Sequence, residues 1–189
     1  MARIASWKLT VIGMVAVVAA VPLLRGEWDT EQLASYVAMF FVARGALHLV
    51  AMPTWVGLDG AAAILLATSE LAAGLVVLVW PHPTLYVVAI VAGVWCAVTG
   101  VASGTIAVTT RGGEPRWLLL LALALVDLAL GVVLIARANT SVDAVAALLG
   151  VVALLHGVVE LVLAASHALT TRRVRRRASS ASVVNAVVR

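Results

Sequence analysis

The sequence predicts an all-α polytopic membrane protein in which six transmembrane helices are arranged as three helical-hairpin repeats. Three observations support this fold class. The 189 residues are 63% hydrophobic and 12% charged, far from the balance of soluble domains. Six apolar runs are long enough to cross a bilayer, and one stretch of the chain occurs twice. A single small soluble core could not bury so much apolar surface.

Each apolar run has close to the roughly 20 residues that cross about 30 Å of hydrocarbon. The runs are Leu9–Leu24, Leu33–Met52, Leu58–Trp80, Leu85–Val108, Trp117–Ala136 and Val142–Leu169. The segments between them are short and contain the Gly, Pro, Asn and Arg residues that end helices. The predicted transmembrane domain covers 1–169, with hairpins at 7–52, 57–108 and 117–169.

The first run also has a second interpretation. Arg3 and Lys8 precede an apolar stretch that ends in Ala19-Ala20-Val21, as in a cleaved signal peptide. Cleavage would leave five helices and remove half of the first hairpin. We favour an uncleaved first helix because a repeat made of paired helices requires it.

The stretch Leu66–Val101 is repeated with a shift of 57 positions, which places Glu70 on Asp127. The same shift superimposes three pairs of glycines, Gly74 on Gly131, Gly93 on Gly150 and Gly100 on Gly157. Residues four or seven positions apart share a helix face, so the acid and the glycines define a face in each copy. The repeat unit is a pair of helices, present twice, and the second helix suggests a third copy.

Eight polar side chains lie inside the apolar runs, where a charge at the bilayer centre costs at least about 2.5 to 3.5 kcal/mol. They are Arg44, His48, Glu70, Thr99, Ser103, Asp127, His156 and Glu160. By their position in the runs, His48, Ser103 and Glu160 lie one turn nearer the cytoplasm than the others. Because such groups face the bundle interior and find partners, we expect Arg44 to pair with Glu70 or Asp127. A remaining acid should pair with His48 or His156.

Two interpretations of these polar residues stay open. They could be structural, since interhelical polar contacts in membranes contribute about 0.6 kcal/mol on average and hold helices in register. They could instead conduct or sense protons or small solutes, because intramembrane ionisable residues often mark such functions. A polar channel reaching both membrane faces would favour the second interpretation, and dry pairing would favour the first.

Small residues predict the helix contacts, because a missing side chain lets two backbones approach closely. The expected packing glycines are Gly74, Gly93, Gly100, Gly104, Gly131, Gly150 and Gly157. Gly100 and Gly104 have small-xxx-small spacing, which suits contact inside the bundle or between subunits. The expected partners are therefore the lipid bilayer and a second copy of the chain or another membrane protein.

The basic residues predict that both termini are cytoplasmic. With an even helix count the termini share a side, and Lys and Arg next to helix ends accumulate on the cytoplasmic side. The side with the termini holds Arg3, Lys8, Arg111, Arg116, Arg172, Arg173, Arg175, Arg176 and Arg177. The opposite side holds only Arg25 and Arg137.

The segment 170–189 is predicted to be an Arg-rich cytoplasmic tail. Its five clustered arginines could bind anionic lipid headgroups, at about 1 kcal/mol for each residue near the surface. The alternative, which we favour, is a topology signal followed by a disordered end rich in small and polar residues.

No catalytic machinery is evident in the sequence. It contains no metal motif of spaced His and Cys and no phosphate-binding glycine loop, so we expect no enzyme activity, metal or cofactor. Cys96 is the single cysteine and lies in an apolar run, which excludes a disulfide framework. The arginines cluster at a membrane face, so the basic balance does not predict nucleic-acid binding.

A remote alternative is an intramembrane serine protease. Ser103 in the fourth helix and His156 in the sixth resemble the pair used by rhomboid proteases. However, Val101 occupies the glycine position of the rhomboid Gly-x-Ser-Gly motif. The repeat also places Ser103 one turn away from His156, whereas a nucleophile and its base should lie within roughly 3 Å.

One stretch resembles a known family. Gly74–Thr84 includes Trp80-Pro81-His82-Pro83-Thr84 and is followed by Gly93-Val94-Trp95 and Thr99-Gly100-Val101. This pattern resembles the short-repeat membrane proteins of the HdeD type, called acid-resistance proteins, and the sixth helix is similar to their closing helix. The resemblance implies a non-catalytic, multi-pass protein of the bacterial inner membrane, associated with acid or general stress resistance.

Overall fold

The computed structural model describes residues 6–51, 58–111 and 117–187, with their side chains described between 7 and 169 except at 58–60, 62 and 167. Arg3 and Arg116, which contributed to the predicted orientation, lie outside the described residues. The same is true of the side chains in the arginine cluster, Arg172, Arg173, Arg175, Arg176 and Arg177.

Within the described residues the chain forms six α-helices and no strand. They are α1 (Ser6–Arg25), α2 (Thr30–Ala51), α3 (Leu58–Val79), α4 (Leu85–Thr109), α5 (Trp117–Ala136) and α6 (Val142–Val187). Five of the helices are long and apolar enough to cross a membrane, and α3 contributes a shorter apolar segment, Ala63–Val79. The protein is therefore an all-helical, multi-pass membrane protein, as the apolar runs predict.

Short polar side chains start three of the helices. At the start of α2, Asp29 accepts a hydrogen bond from the backbone N–H of Gln32 (2.8 Å). Thr84 caps α4 by accepting a hydrogen bond from Val87 N, and Ser141 accepts one from Ala144 N at the start of α6. Each side chain satisfies a backbone donor that the first helical turn leaves free.

Helix α6 extends well beyond the apolar run that predicted it. Its membrane-crossing part is Val142–Ser166, and its backbone continues as helix to Val187. The structure therefore differs from the disordered tail expected for 170–189. The reason is that the sequence after Gly157 contains neither glycine nor proline, while Ala and Arg are among the best helix formers.

The closest helix pairs do not coincide with the expected hairpins. The extensive contacts are antiparallel and join α1 to α6, α2 to α3, and α4 to α5. Contacts within the expected hairpins at 7–52, 57–108 and 117–169 are sparser. The packing therefore does not confirm the three-hairpin arrangement, because the glycine-bearing faces meet between the expected hairpins.

Each close pair brings a glycine against the neighbouring backbone. A Cβ added to Gly157 would lie 2.7 Å from the carbonyl oxygen of Gly13, between α6 and α1. The equivalent distances are 2.8 Å from Gly74 to the Ala38 oxygen and 2.8 Å from Gly131 to the Gly93 oxygen. Side chains at these positions would force the helices apart.

Five of the seven expected packing glycines make such contacts, namely Gly74, Gly93, Gly100, Gly131 and Gly157, whereas a Cβ added to Gly150 would meet the Leu24 side chain at 2.8 Å. Gly104 does not, because an added Cβ would meet only the Ala124 Cβ at 3.5 Å, an ordinary contact distance. Gly13 and Gly45 also pack against backbone, although neither was among the expected packing glycines.

The apolar core occupies the half of the bundle opposite the start of α1. It consists of residues near the starts of α2, α4 and α6 and near the ends of α1, α3 and α5, including Leu33, Phe41, Trp95 and Leu134. Polar side chains replace this core in the other half, from the middle of the bundle toward the start of α1.

Candidate functional site: a buried ionic cluster

Six ionisable side chains meet inside the bundle, three of them basic and three acidic. We call them the ionic cluster, and they are Arg44 and His48 of α2, Glu70 of α3, Asp127 of α5, and His156 and Glu160 of α6. The spacing of four residues puts Arg44 and His48 on one face of α2, and His156 and Glu160 on one face of α6. The cluster thus joins four of the six helices.

Arg44 lies at the centre of the ionic cluster and is almost fully buried. Its Nη2 is 2.7 Å from Oε1 of Glu160 and 3.1 Å from Nδ1 of His156. Its Nε is 3.3 Å from Oε1 of Glu70. The guanidinium carbon also lies 5.6 Å from the centre of the Trp95 ring, within the range of a cation–π contact.

His48 bridges the two glutamates. Its Nδ1 is 2.6 Å from Oε2 of Glu70, and its Nε2 is 3.4 Å from Oε1 of Glu160. A neutral imidazole has only one N–H donor, whereas an imidazolium has two. The placement of a carboxylate oxygen opposite each ring nitrogen therefore suits the charged form of His48.

His156 lies between Arg44 and Asp127. Because an arginine can only donate hydrogen bonds, Nδ1 of His156 accepts the bond from Arg44 Nη2. The other ring nitrogen, Nε2, carries the proton and donates it to Oδ1 of Asp127 at 2.8 Å. The contact with Arg44 thus assigns His156 to the neutral tautomer with its proton on Nε2.

The packing glycines explain how the acids reach the cluster. Glu70 and Asp127 each lie four residues before a glycine that packs against a neighbouring backbone, Gly74 and Gly131. The close approach of α2 and α3 at Gly74 brings Glu70 within reach of Arg44. The repeated pattern of acid and glycine in the sequence therefore has a direct structural cause.

The expected pairing is found, since Arg44 contacts Glu70 and, of the remaining acids, Asp127 contacts His156. Glu160 was placed one turn nearer the chain termini, yet it makes the shortest contact to Arg44. The long arginine side chain spans the two levels, which a depth estimate based on Cα positions does not capture.

Thr99 and Ser103 on α4 are buried but do not join the cluster. The Thr99 hydroxyl donates to the Cys96 carbonyl of its own helix (3.0 Å). No hydrogen bond joins Ser103 to the cluster in the part of the chain that the structure describes. Helix α4 instead contributes Trp95, whose ring lies 5.2 Å from the His156 ring. Trp95 lies four residues before Thr99 and so shares its helix face, and this spacing is the signal that could have identified Trp95 from the sequence.

Access to the cluster is one-sided. The side chains of Asp127 and Glu70 are 1% and 2% exposed, whereas those of Glu160 and His48 are 12% and 20% exposed. The exposed members lie toward the end of the bundle where α1 starts. Toward the opposite end, Phe41 and Trp95 pack edge to face with ring centres 4.9 Å apart, and both are buried.

Apart from the cluster, the described residues contain an apolar groove of about 300 Å³ between α3 and α4. Its lining includes Ala72, Val76, Val91, Val94 and Trp95. No group of three or more His, Cys, Asp or Glu side chains suited to a metal ion occurs among the described residues.

The fold and the cluster together define a multi-pass helical membrane protein with an internal repeat. A family model described as a short repeat of unknown function, DUF308, matches residues 65–136 and 122–187. The two matches begin 57 positions apart, at 65 and 122, which equals the shift that superimposes Glu70 on Asp127. They cover more than half of the chain, and the protein belongs to this family. Comparisons with curated proteins and with solved structures gave no match.

Proposed function

We propose that this protein is a non-catalytic membrane protein of the HdeD type, located in the bacterial inner membrane and associated with acid or general stress resistance. Both of its termini are cytoplasmic in this proposal. The observation that carries it is the ionic cluster, in which every basic side chain contacts an acidic one inside the bundle. Its function is to hold the helices together in a form that survives stress.

The energetics support a structural function for the cluster. Removing one partner of a buried ion pair typically costs about 3 to 5 kcal/mol, because the other charge is left without compensation. A typical interhelical polar contact in membranes is worth only about 0.6 kcal/mol. A cluster that joins α2, α3, α5 and α6 therefore couples their positions strongly.

The contacts of His156 favour a non-catalytic protein. A serine protease needs a histidine nitrogen to accept the proton of its serine. Both ring nitrogens of His156 are already engaged, one by Arg44 and one by Asp127. Ser103 lies on α4, outside this network.

A proton-sensing function is the second candidate. It is favoured by the partial exposure of His48 and Glu160, since a sensor needs groups that can take up protons from outside the bundle. A conduit would need a polar path to both faces. The packing of Phe41 against Trp95 on the other side favours a sensor over a conduit.

The test is survival of the native host after an acid challenge, with the gene deleted and then restored. We expect the deletion to reduce survival, and wild-type protein to restore it. Arg44→Ala should fail to restore survival. Arg137→Ala, which removes an exposed arginine at the end of α5, should restore it at equal membrane abundance. Unchanged survival of the deletion strain would refute the proposed function.

A further inference from the structure

Arg44 lies between Glu160 and His156 in the ionic cluster, a position that ion pairing with the acids alone does not require. Its Nη2 contacts Oε1 of Glu160 at 2.7 Å and Nδ1 of His156 at 3.1 Å. The same nitrogen therefore stands between the partly exposed carboxylate and the buried histidine. On the far side of His156, Asp127 is the most deeply buried acid of the cluster.

The contacts divide the cluster into two parts. His48, Glu70 and Glu160 form an outer part, in which each carboxylate has an oxygen within 3.4 Å of a His48 nitrogen. His156 and Asp127 form an inner part, joined by a hydrogen bond of 2.8 Å. Among the described contacts, the guanidinium of Arg44 is the link between the two parts.

A guanidinium is an unsuitable link for proton transfer. It is a donor only and does not lose its proton in proteins, so it can neither accept a proton from Glu160 nor pass one to His156. Fixed arginine charges also exclude protons from membrane pores. A proton on the outer part thus meets a permanent positive charge before it reaches the inner part.

We propose that Arg44 is a proton barrier, which isolates the His156–Asp127 pair from the partly exposed pair of His48 and Glu160. This inference deepens the proposed function and rests on it, because a closed bundle needs a device that keeps protons from entering its centre. Arg44 is a positioning and insulating residue in this account. The ionisable groups around it are those of the ionic cluster on α2, α3, α5 and α6, together with the Cys96 thiol on α4.

The test is hydrogen exchange at the histidine side chains, followed by NMR of purified protein labelled with ¹⁵N-histidine. The signals of His48 and His156 can be assigned from their loss in His48→Gln and His156→Gln. In the wild type we expect the Nε2 proton of His156 to exchange at least about tenfold more slowly than the protons of His48. Arg44→Gln should accelerate exchange at His156 by at least about tenfold.

Glu160→Gln is the matched control. It also removes the ion pair of 2.7 Å but leaves the guanidinium in place, so His156 should still exchange slowly. Equal acceleration in both variants would show that general loosening causes the exchange, and would overturn the proposal. So would an Arg44→Gln variant that folds and exchanges at the wild-type rate.

A measurement on the wild type alone keeps the proposal testable if Arg44→Gln does not fold. Exchange at His48 should rise with the concentration of a buffer that catalyses proton transfer, whereas exchange at His156 should not. A buffer dependence at His156 equal to that at His48 would overturn the barrier. The exchange rates do not depend on host survival, so the barrier and the proposed function can fail separately.

Discussion

Replacement of Arg44 by alanine is the perturbation that bears most directly on the ionic cluster. It removes the groups at 2.7 Å from Glu160 and 3.3 Å from Glu70 and leaves His48 as the cation that contacts both glutamates. Since Arg44 is almost fully buried, the relevant cost is that of breaking a buried pair, about 3 to 5 kcal/mol. In a chain of this size the melting temperature should fall by roughly 6 to 20 °C.

The loss should depend on pH. A carboxylate that has lost its cation can be neutralised by taking up a proton, whereas an arginine does not become neutral by losing one. Arg44→Ala should therefore be tolerated better at about pH 5 than at about pH 7.5. Removing the acids that contact Arg44 instead leaves its buried positive charge without a counterion at both pH values.

The structure changes which acids must be removed for that comparison. The sequence left Glu70 and Asp127 as candidate partners of Arg44, but Asp127 contacts His156. Glu70→Gln together with Glu160→Gln removes the two acids that contact Arg44. This double variant should be destabilised at both pH values.

The assay is thermal unfolding of the detergent-purified variants at the two pH values, with Arg137→Ala as the control for loss of an exposed arginine. Arg137→Ala should unfold within a few degrees of the wild type, since surface substitutions change stability by about 0.5 kcal/mol or less. An equal loss for Arg44→Ala at both pH values would refute the pairing and would indicate that Arg44 is solvated by water or lipid.

Two further predictions concern packing and topology. Gly157→Ala should destabilise the protein by about 1 to 3 kcal/mol in the same unfolding assay, because its Cβ would lie 2.7 Å from a backbone oxygen. Gly104→Ala, whose Cβ has ordinary contacts, should be neutral or slightly stabilising, and equal losses would contradict the glycine contacts. Reporters fused after Arg111 and after Arg177 should be cytoplasmic, and a reporter fused within 81–83 should be external. An external reporter after Arg177 would contradict the six-helix topology.

The sequence predicted the helices closely because each depends on a local pattern. The start of α4 at Leu85 and the end of α5 at Ala136 coincide with the predicted runs. An apolar run and the helix-ending residues that flank it are both properties of contiguous residues. The pairing of the helices could not be predicted in the same way. Gly13 and Gly157 are far apart in the sequence, and only the folded chain shows that their backbones meet.

The candidate site was predictable in composition and less so in geometry. The burial cost of a charge indicated that Arg44, Asp127 and Glu160 should lie inside the bundle, and they do. Which acid meets Arg44 depends on side-chain length and on the helix rotation set by the packing glycines. The sequence pattern specifies the helix face of each residue but not these two quantities, so it left Glu70 and Asp127 open as partners of Arg44 and did not predict the contact with Glu160.

We expect the ionic cluster to close the bundle and not to conduct protons. Proton flux into liposomes across a pH step tests this expectation. The flux is compared, at equal lipid concentration, for wild-type protein, for the double variant Glu70→Gln with Asp127→Asn, and for empty liposomes. We expect the flux with wild-type protein to equal the leak of empty liposomes. A wild-type flux above that leak, abolished in the double variant, would contradict it and establish a proton conduit.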